Sequence, residues 1–180
     1  SDVCSSDLDV PGDDPIGRHA QRRITDASTA RDPLAALQRR ASGYQPGDTD
    51  LSWARLTPWR SLLATVFDSP VGKVSGGHVH GAVGDPSALL LASWLRQRLR
   101  TAIELLPQDG HGVTGVTLQA SLGEVRVDRT DERTATLQRP DAPPTSIALP
   151  AGALAELLAE ELRRLDPDEA YAGALRGAVA

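Results

Sequence analysis

Three histidines have the side-chain type and spacing that could hold a metal ion. His78 and His80 are two positions apart, so their imidazoles would lie on the same side of a strand, and His111 could approach them from a loop. Neither a cysteine nor an acidic residue stands at a spacing that would complete such a site. We therefore interpret the pair as solvated or packed strand histidines and predict no metal site.

The patterns of other catalytic and cofactor-binding sites do not occur. The chain contains no glycine-rich dinucleotide motif and no P-loop, and the Gly76-Gly77 pair does not lead directly into a helix. Ser75 precedes this pair without a base at a recognisable spacing. The acidic residues are interpreted as helix caps and solvent-facing positions. These patterns predict no catalytic residue and no bound cofactor.

One cluster has a less ordinary composition, and it comprises Trp53, Arg55, Pro58, Trp59 and Arg60. Tryptophan and arginine are enriched at interface hot spots, because a planar cation and a large ring bury area at small entropic cost. Trp59 also shares a helical stripe with leucines, which favours a core position. We predict the five residues as partner-contact candidates, with Arg55 and Arg60 facing a partner or forming buried ion pairs.

Composition limits the class of protein. The 180 residues include 40% hydrophobic and 24% charged side chains, which is ordinary for a soluble globular domain. The net charge of -5 disfavours a domain that binds nucleic acid. No apolar run approaches the roughly 18 residues of a membrane span. We expect a cytoplasmic protein without a nucleic-acid or membrane partner.

The first fourteen residues are set apart from the rest. Residues 1–8 match the translation of a common sequencing adapter, so we expect them to be a non-native tail, and residues 9–14 are interpreted as a linker. Cys4, the single cysteine, falls in the tail. No disulfide, thiolate metal site or redox switch is therefore predicted.

Residues 15–70 are predicted to form a helical arm. An aspartate before a first-turn proline predicts helices over about 15–27 and about 33–41, the second ending at a left-handed Gly43. Apolar residues at helical spacing between Leu51 and Phe67 predict a short helix, a joint and a second helix, with Thr57-Pro58 as a cap followed by a first-turn proline.

Residues 71–180 are predicted to form an α+β domain. A strand over about 74–83, a helix opened by Asp85-Pro86 and an apolar run at 102–106 predict a βαβ unit. Period-two runs between residues 113 and 138 predict an antiparallel meander with one wet face, which makes the sheet mixed.

The end of this domain is predicted in three parts. A proline loop covers 139–144 and leads to an edge strand through Ile147 and Leu149. An amphipathic helix then carries a leucine stripe from Leu154 to Leu165. A final helix is predicted with Asp166 as its cap and Glu169 in the capping-box position.

Three stretches carry a resemblance to a known family. They are residues 20–27, 47–60 and 158–171, and the most specific string is Asp-Leu-x-Trp-x-Arg-Leu-Thr-Pro-Trp-Arg at 50–60. In this order they resemble the glucose-6-phosphate dehydrogenase assembly protein family OpcA, in its actinobacterial form. Family members carry an additional α/β domain before the first stretch, so we expect this chain to correspond to their C-terminal part.

The resemblance implies a non-catalytic protein that binds glucose-6-phosphate dehydrogenase and promotes its active oligomer in the oxidative pentose phosphate route. It provides no catalytic residue to carry over. Two alternatives stay open. One is a domain that senses a sugar phosphate or nucleotide through the arginines of the arm, and the other is a metal-dependent hydrolase using His78, His80 and His111.

Overall fold

The computed structural model describes Pro15 and residues 17–67, 71–164 and 166–180. The predicted tail and linker at 1–14 lie outside these ranges, as does Leu165. Within them, no helix is long and apolar enough to cross a membrane.

The helix predicted over 15–27 is wrong. This segment contains two 3₁₀ turns, Gly17–His19 and Ala27–Thr29, with the strand β1, Arg23–Thr25, between them. β1 pairs in parallel with β2, Asp48–Asp50. Side chains of β1 bind residues far along the chain, since Arg23 donates to the Asp48 carboxylate and Thr25 donates to Asp50. These non-local bonds stabilise the extended backbone over the local helical signal.

The helix α1 spans Pro33–Ser42 and confirms the second prediction. Asp32 caps it by accepting a hydrogen bond from the backbone N–H of Ala35 at 3.0 Å. Gly43 follows the helix with φ −106°, so the predicted left-handed ending is wrong. The N–H of Gly43 instead continues the helical pattern by bonding the carbonyl of Arg39.

Two helices follow β2 as predicted. The short helix α2 spans Leu51–Ala54, and α3 spans Thr57–Phe67. Asp50 caps α2 through the N–H of Ser52. Arg55 and Leu56 form the joint, so the five partner-contact candidates lie on two short helices and their connection.

A mixed six-stranded sheet forms the centre of the molecule. Its strands are β3 Val74–Gly81, β4 Ile103–Pro107, β5 Val113–Ala120, β6 Gly123–Arg129, β7 Thr134–Arg139 and β8 Ala142–Ala148. Their order is β4-β3-β5-β6-β7-β8. The helix α4, Pro86–Leu99, joins β3 to the parallel strand β4, and the other neighbouring strands are antiparallel. The βαβ unit, the meander and the α+β class are confirmed.

The proline loop predicted at 139–144 is wrong in its second half. β8 begins at Ala142 and includes Pro143 and Pro144. Proline is tolerated here because β8 lies at the edge of the sheet, where an N–H on the solvent side has no strand to bond. Ile147 lies in this edge strand as predicted, and Leu149 follows its end.

Two C-terminal helices are confirmed, with α5 at Leu154–Arg163 and α6 at Glu169–Val179. The leucine stripe of α5 does not pack inward, since Leu154 and Leu162 are 56% and 65% exposed. α5 instead buries Glu161, which pairs with Arg22 at 2.5 Å. The predicted cap of α6 is also wrong, because Asp168, and not Asp166, accepts from the N–H of Tyr171.

One apolar cluster joins the helices to the inner face of the sheet. It includes Trp53 and Trp59 from α2 and α3, Leu91 from α4, Val127 from β6 and Leu175 from α6. Residues on both sides of position 70 thus share a core. The proposed division into an arm and a domain stays a prediction.

Candidate partner-contact site

Arg55 is held rigidly at the joint between α2 and α3. Its two terminal nitrogens bind the two oxygens of Asp26 at 2.9 and 2.6 Å, and one of them also lies 3.1 Å from the hydroxyl of Ser28. The hydrogen bonds that Arg55 donates to the Asp26 carboxylate raise the pKa of Arg55. About a third of the Arg55 side chain stays exposed, so this cation is fixed in place and still accessible.

Trp53 and Arg60 form a stacked pair on the other side of the same segment. The Trp53 side chain is buried and donates from Nε1 to Asp168 at 2.8 Å. The guanidinium of Arg60 lies 3.9 Å from the Trp53 ring centroid and donates to Thr57. Burial lowers the pKa of Arg60. Because Arg60 is stacked on Trp53, it orients α3 and does not protrude towards a partner.

Trp59 and Pro58 occupy different surroundings. Trp59 is 2% exposed, in agreement with the core position favoured by its helical stripe, and the guanidinium of Arg129 lies 5.4 Å from its ring centroid. Pro58 is partly exposed and lines a groove between α3 and α5. The five candidates therefore do not form a single patch, and their role as a partner contact stays a prediction.

A cleft lies beside Arg55 and Trp59. It has a volume of about 670 Å³ and is bounded by the turn before α4, the loop before β5 and the end of β6. Asp85 lines it and caps α4 through the N–H of Ala88 at 2.8 Å. Burial raises the pKa of Asp85, although backbone hydrogen bonds and the nearby Arg55 act in the opposite direction. Sequence reasoning treated Asp85 only as a cap and missed the cleft.

The histidines do not come together. His78 and His80 lie on one face of β3 with ring centroids 6.4 Å apart, whereas His111 lines the cleft. His80 Nε2 lies 3.2 Å from the Thr117 hydroxyl, and His78 Nδ1 lies 3.6 Å from a Glu104 oxygen. Burial lowers the pKa of His80. No metal-binding group of three or more histidine, cysteine or acidic side chains occurs in the part of the chain that the structure describes.

Two acidic residues are more than caps or solvent-facing groups: Asp50 caps α2 and also forms a buried ion pair, and Glu161 is a buried acid inside α5. Asp50 is fully buried and pairs with Arg40 at 2.6 Å, and Glu161 is 1% exposed and pairs with Arg22. The Glu161 pair joins residues 139 positions apart, so no local pattern indicated it.

Comparison with known proteins decides the family. Residues 46–175 match the model of the OpcA-type C-terminal domain of the glucose-6-phosphate dehydrogenase subunit. The chain belongs to this family. The match runs from β2 through most of α6 and includes the whole main sheet, and the specific string at 50–60 lies inside it. No curated protein matches the chain.

Two solved structures are similar to this OpcA-type domain at low identity. A point mutant of a 3-ketoreductase from Actinomadura kijaniata, in complex with TDP-benzene and NADP, is 12% identical with a TM-score of 0.52. That likeness covers 87% of this chain and 67% of the ketoreductase. A second structure of the ketoreductase is 13% identical, with a TM-score of 0.48 over 85% and 65% of the two chains. At this identity the first likeness shows the fold alone.

Proposed function

We propose that this chain is a non-catalytic partner that binds glucose-6-phosphate dehydrogenase in the cytoplasm and promotes its active oligomer. The family match over residues 46–175 carries the proposal, because the family is named for a subunit of that dehydrogenase. Such a protein needs no active site. It needs only a higher affinity for the active state of its partner, and a tenfold shift in population requires about 1.4 kcal/mol of preference.

The two arginines of the cluster have different roles in this proposal. Arg55 is accessible and pre-organised by Asp26, so it loses little conformational entropy when a partner binds. Arg60 is mostly buried against Trp53 and acts by orienting the helix that carries the contact.

Two measurements test the proposal, both with dehydrogenase from the same source. They are size-exclusion chromatography with light scattering and an assay of NADPH production. We expect a co-eluting complex and a raised rate of NADPH production, with and without residues 1–8. An Arg55→Ala/Arg60→Ala double variant should weaken both, whereas Arg98→Ala, at an exposed position on α4, serves as the control. Absence of a complex and of activation for the wild-type chain would refute the function. Full binding by the folded double variant would remove only the role of the arginines.

A second candidate is a domain that senses a sugar phosphate or a nucleotide. The observation in its favour is the 670 Å³ cleft, a volume within the range of small-molecule sites. Thermal shift with glucose 6-phosphate and with NADP tests it, since a ligand at a hundred times its Kd stabilises a protein by about 2.7 kcal/mol. An unchanged Tm with both compounds would reject this candidate.

A further inference from the structure

The cleft beside α3 contains polar groups without a side-chain partner. Asp85 forms no ion pair within the described residues, and its carboxylate accepts from the backbone N–H of Ala88. Ser87 also lines the cleft at 5% exposure, and its hydroxyl makes no hydrogen bond within the same ranges. Both side chains keep acceptor capacity that no side chain of the described ranges uses, so a guest in the cleft can donate hydrogen bonds to them.

The cations around the cleft are already bound. Arg55 is held by both oxygens of Asp26. Arg129 donates from one nitrogen to three backbone carbonyls, of which the shortest bond is to Leu149 at 2.9 Å. The acidic side of the cleft has no such match, since Asp85 is paired with no cation in the described part of the chain and Glu132 is exposed at the rim. Carbonyls do not neutralise Arg129, but with Arg55 paired to Asp26 the two carboxylates of the lining, Asp85 and Glu132, face this one arginine that has no acidic partner in the described ranges. With histidine counted as neutral, the remaining charge of the lining is therefore negative.

A phosphate group does not fit this arrangement. Pro86 occupies the first position of α4 and has no N–H, and the N–H of Ala88 is already bound to Asp85. An anion placed at this helix end would therefore meet the Asp85 carboxylate where a phosphate site has free N–H groups. These contacts count against the sugar-phosphate and nucleotide alternative.

We infer that the cleft receives a basic side chain of the partner dehydrogenase, whose aliphatic stem lies along Pro33 and Val83 and whose cationic head pairs with Asp85. The inference rests on the proposed function and adds where the partner docks and with which chemistry. Arginine and lysine suit a mixed cleft, because they pack an apolar stem and carry the charge at its end. Their charged head also supplies the hydrogen-bond donors that the Ser87 hydroxyl and the Asp85 carboxylate accept.

An Asp85→Asn substitution in the full chain tests the charge. Asparagine caps helices as well as aspartate does, so α4 should stay intact, and an unchanged Tm checks this. We expect the Kd for the dehydrogenase to rise at least about tenfold, which corresponds to about 1.4 kcal/mol. Asp32→Asn is the matched control, because Asp32 caps α1 through the same position and does not line the cleft. It should leave the Kd unchanged.

Substitutions of Val83 test the sign of the guest's charge without disturbing the fold, since Val83 is 85% exposed. We expect Val83→Arg to weaken binding and Val83→Glu to strengthen it, each by about two- to fivefold and less at high salt. The opposite order would mean an acidic guest and would overturn the inference. Wild-type binding with no change in any cleft variant would overturn the inference alone, whereas no wild-type binding would overturn the proposed function as well.

Discussion

Asp50→Asn should destabilise the protein more than an ordinary change of one charge. The carboxylate is fully buried, and its oxygens accept from the N–H groups of Ala27 and Ser52, the hydroxyl of Thr25 and the guanidinium of Arg40, at 2.6 to 3.1 Å. It thereby joins β1, α1 and the start of α2. In asparagine, one acceptor oxygen becomes an NH₂ donor that faces other donors.

The size of the stability loss follows from Arg40, the partner that Asp50→Asn leaves without a counter-ion. Arg40 is 10% exposed and would keep its charge in the interior without a counter-ion. Removing one member of a buried pair typically costs about 3–5 kcal/mol. For a chain of this size, 1 kcal/mol lowers Tm by about 2–4 °C, so the expected decrease is roughly 6–20 °C. That loss is a large part of the usual stability of about 5–15 kcal/mol.

Urea unfolding and thermal melting followed by circular dichroism measure this loss. The double variant Asp50→Asn/Arg40→Gln is the companion experiment, because it also removes the unpaired cation. It should recover part of the stability, and the non-additivity gives the coupling between the two groups. A loss below about 1 kcal/mol for the single variant would refute the reasoning, since it would mean that water solvates Arg40.

Two further predictions concern the residues of the cluster. Burial raises the pKa of Asp26, but the hydrogen bonds from Arg55 and Ser28 outweigh it and leave the pKa below its ordinary 3.8. The stabilisation from the Asp26–Arg55 pair is therefore present above pH 3.8 and lost as the pH falls through the lowered pKa. The Tm difference between wild type and Arg55→Ala should shrink on acidification. A Tm difference that stays constant with pH would contradict this. Trp53→Phe keeps a ring under Arg60 but removes the donor to Asp168, and we expect urea unfolding to show a loss of about 1–3 kcal/mol; an unchanged midpoint would contradict this expectation.

Elements with local signals could be predicted from the sequence. α4 begins at an aspartate followed by proline, and β6 alternates apolar and charged residues, so neither needs information from distant residues. The strand β1 could not be predicted, because Arg23 and Thr25 depend on partners about 25 positions away. The inward face of α5 was predicted wrongly from its leucines for the same reason, because the distant Arg22 pairs with Glu161 and buries that face of the helix.

The cluster between residues 53 and 60 could be recognised in the sequence, but its geometry could not. Trp53 and Arg55 are two positions apart. Side chains at this spacing on a helical segment point in nearly opposite directions. One therefore packs inside against Tyr171 while the other reaches the cleft. A sequence cluster of this kind predicts a segment that links core and surface, and not a single contact patch.

This division has a consequence for the proposed activation of the dehydrogenase. The shift of a partner's equilibrium equals the difference in binding free energy between its two states, so a contact that adapts to both states shifts nothing. A contact that can discriminate must be rigid, and Arg55 is fixed by two bonds to Asp26 on a segment anchored by the buried Trp53. Loosening that anchor should therefore reduce activation more than binding, and Trp53→Phe in the complex would show whether it does. Equal loss of both would mean that rigidity serves stability only.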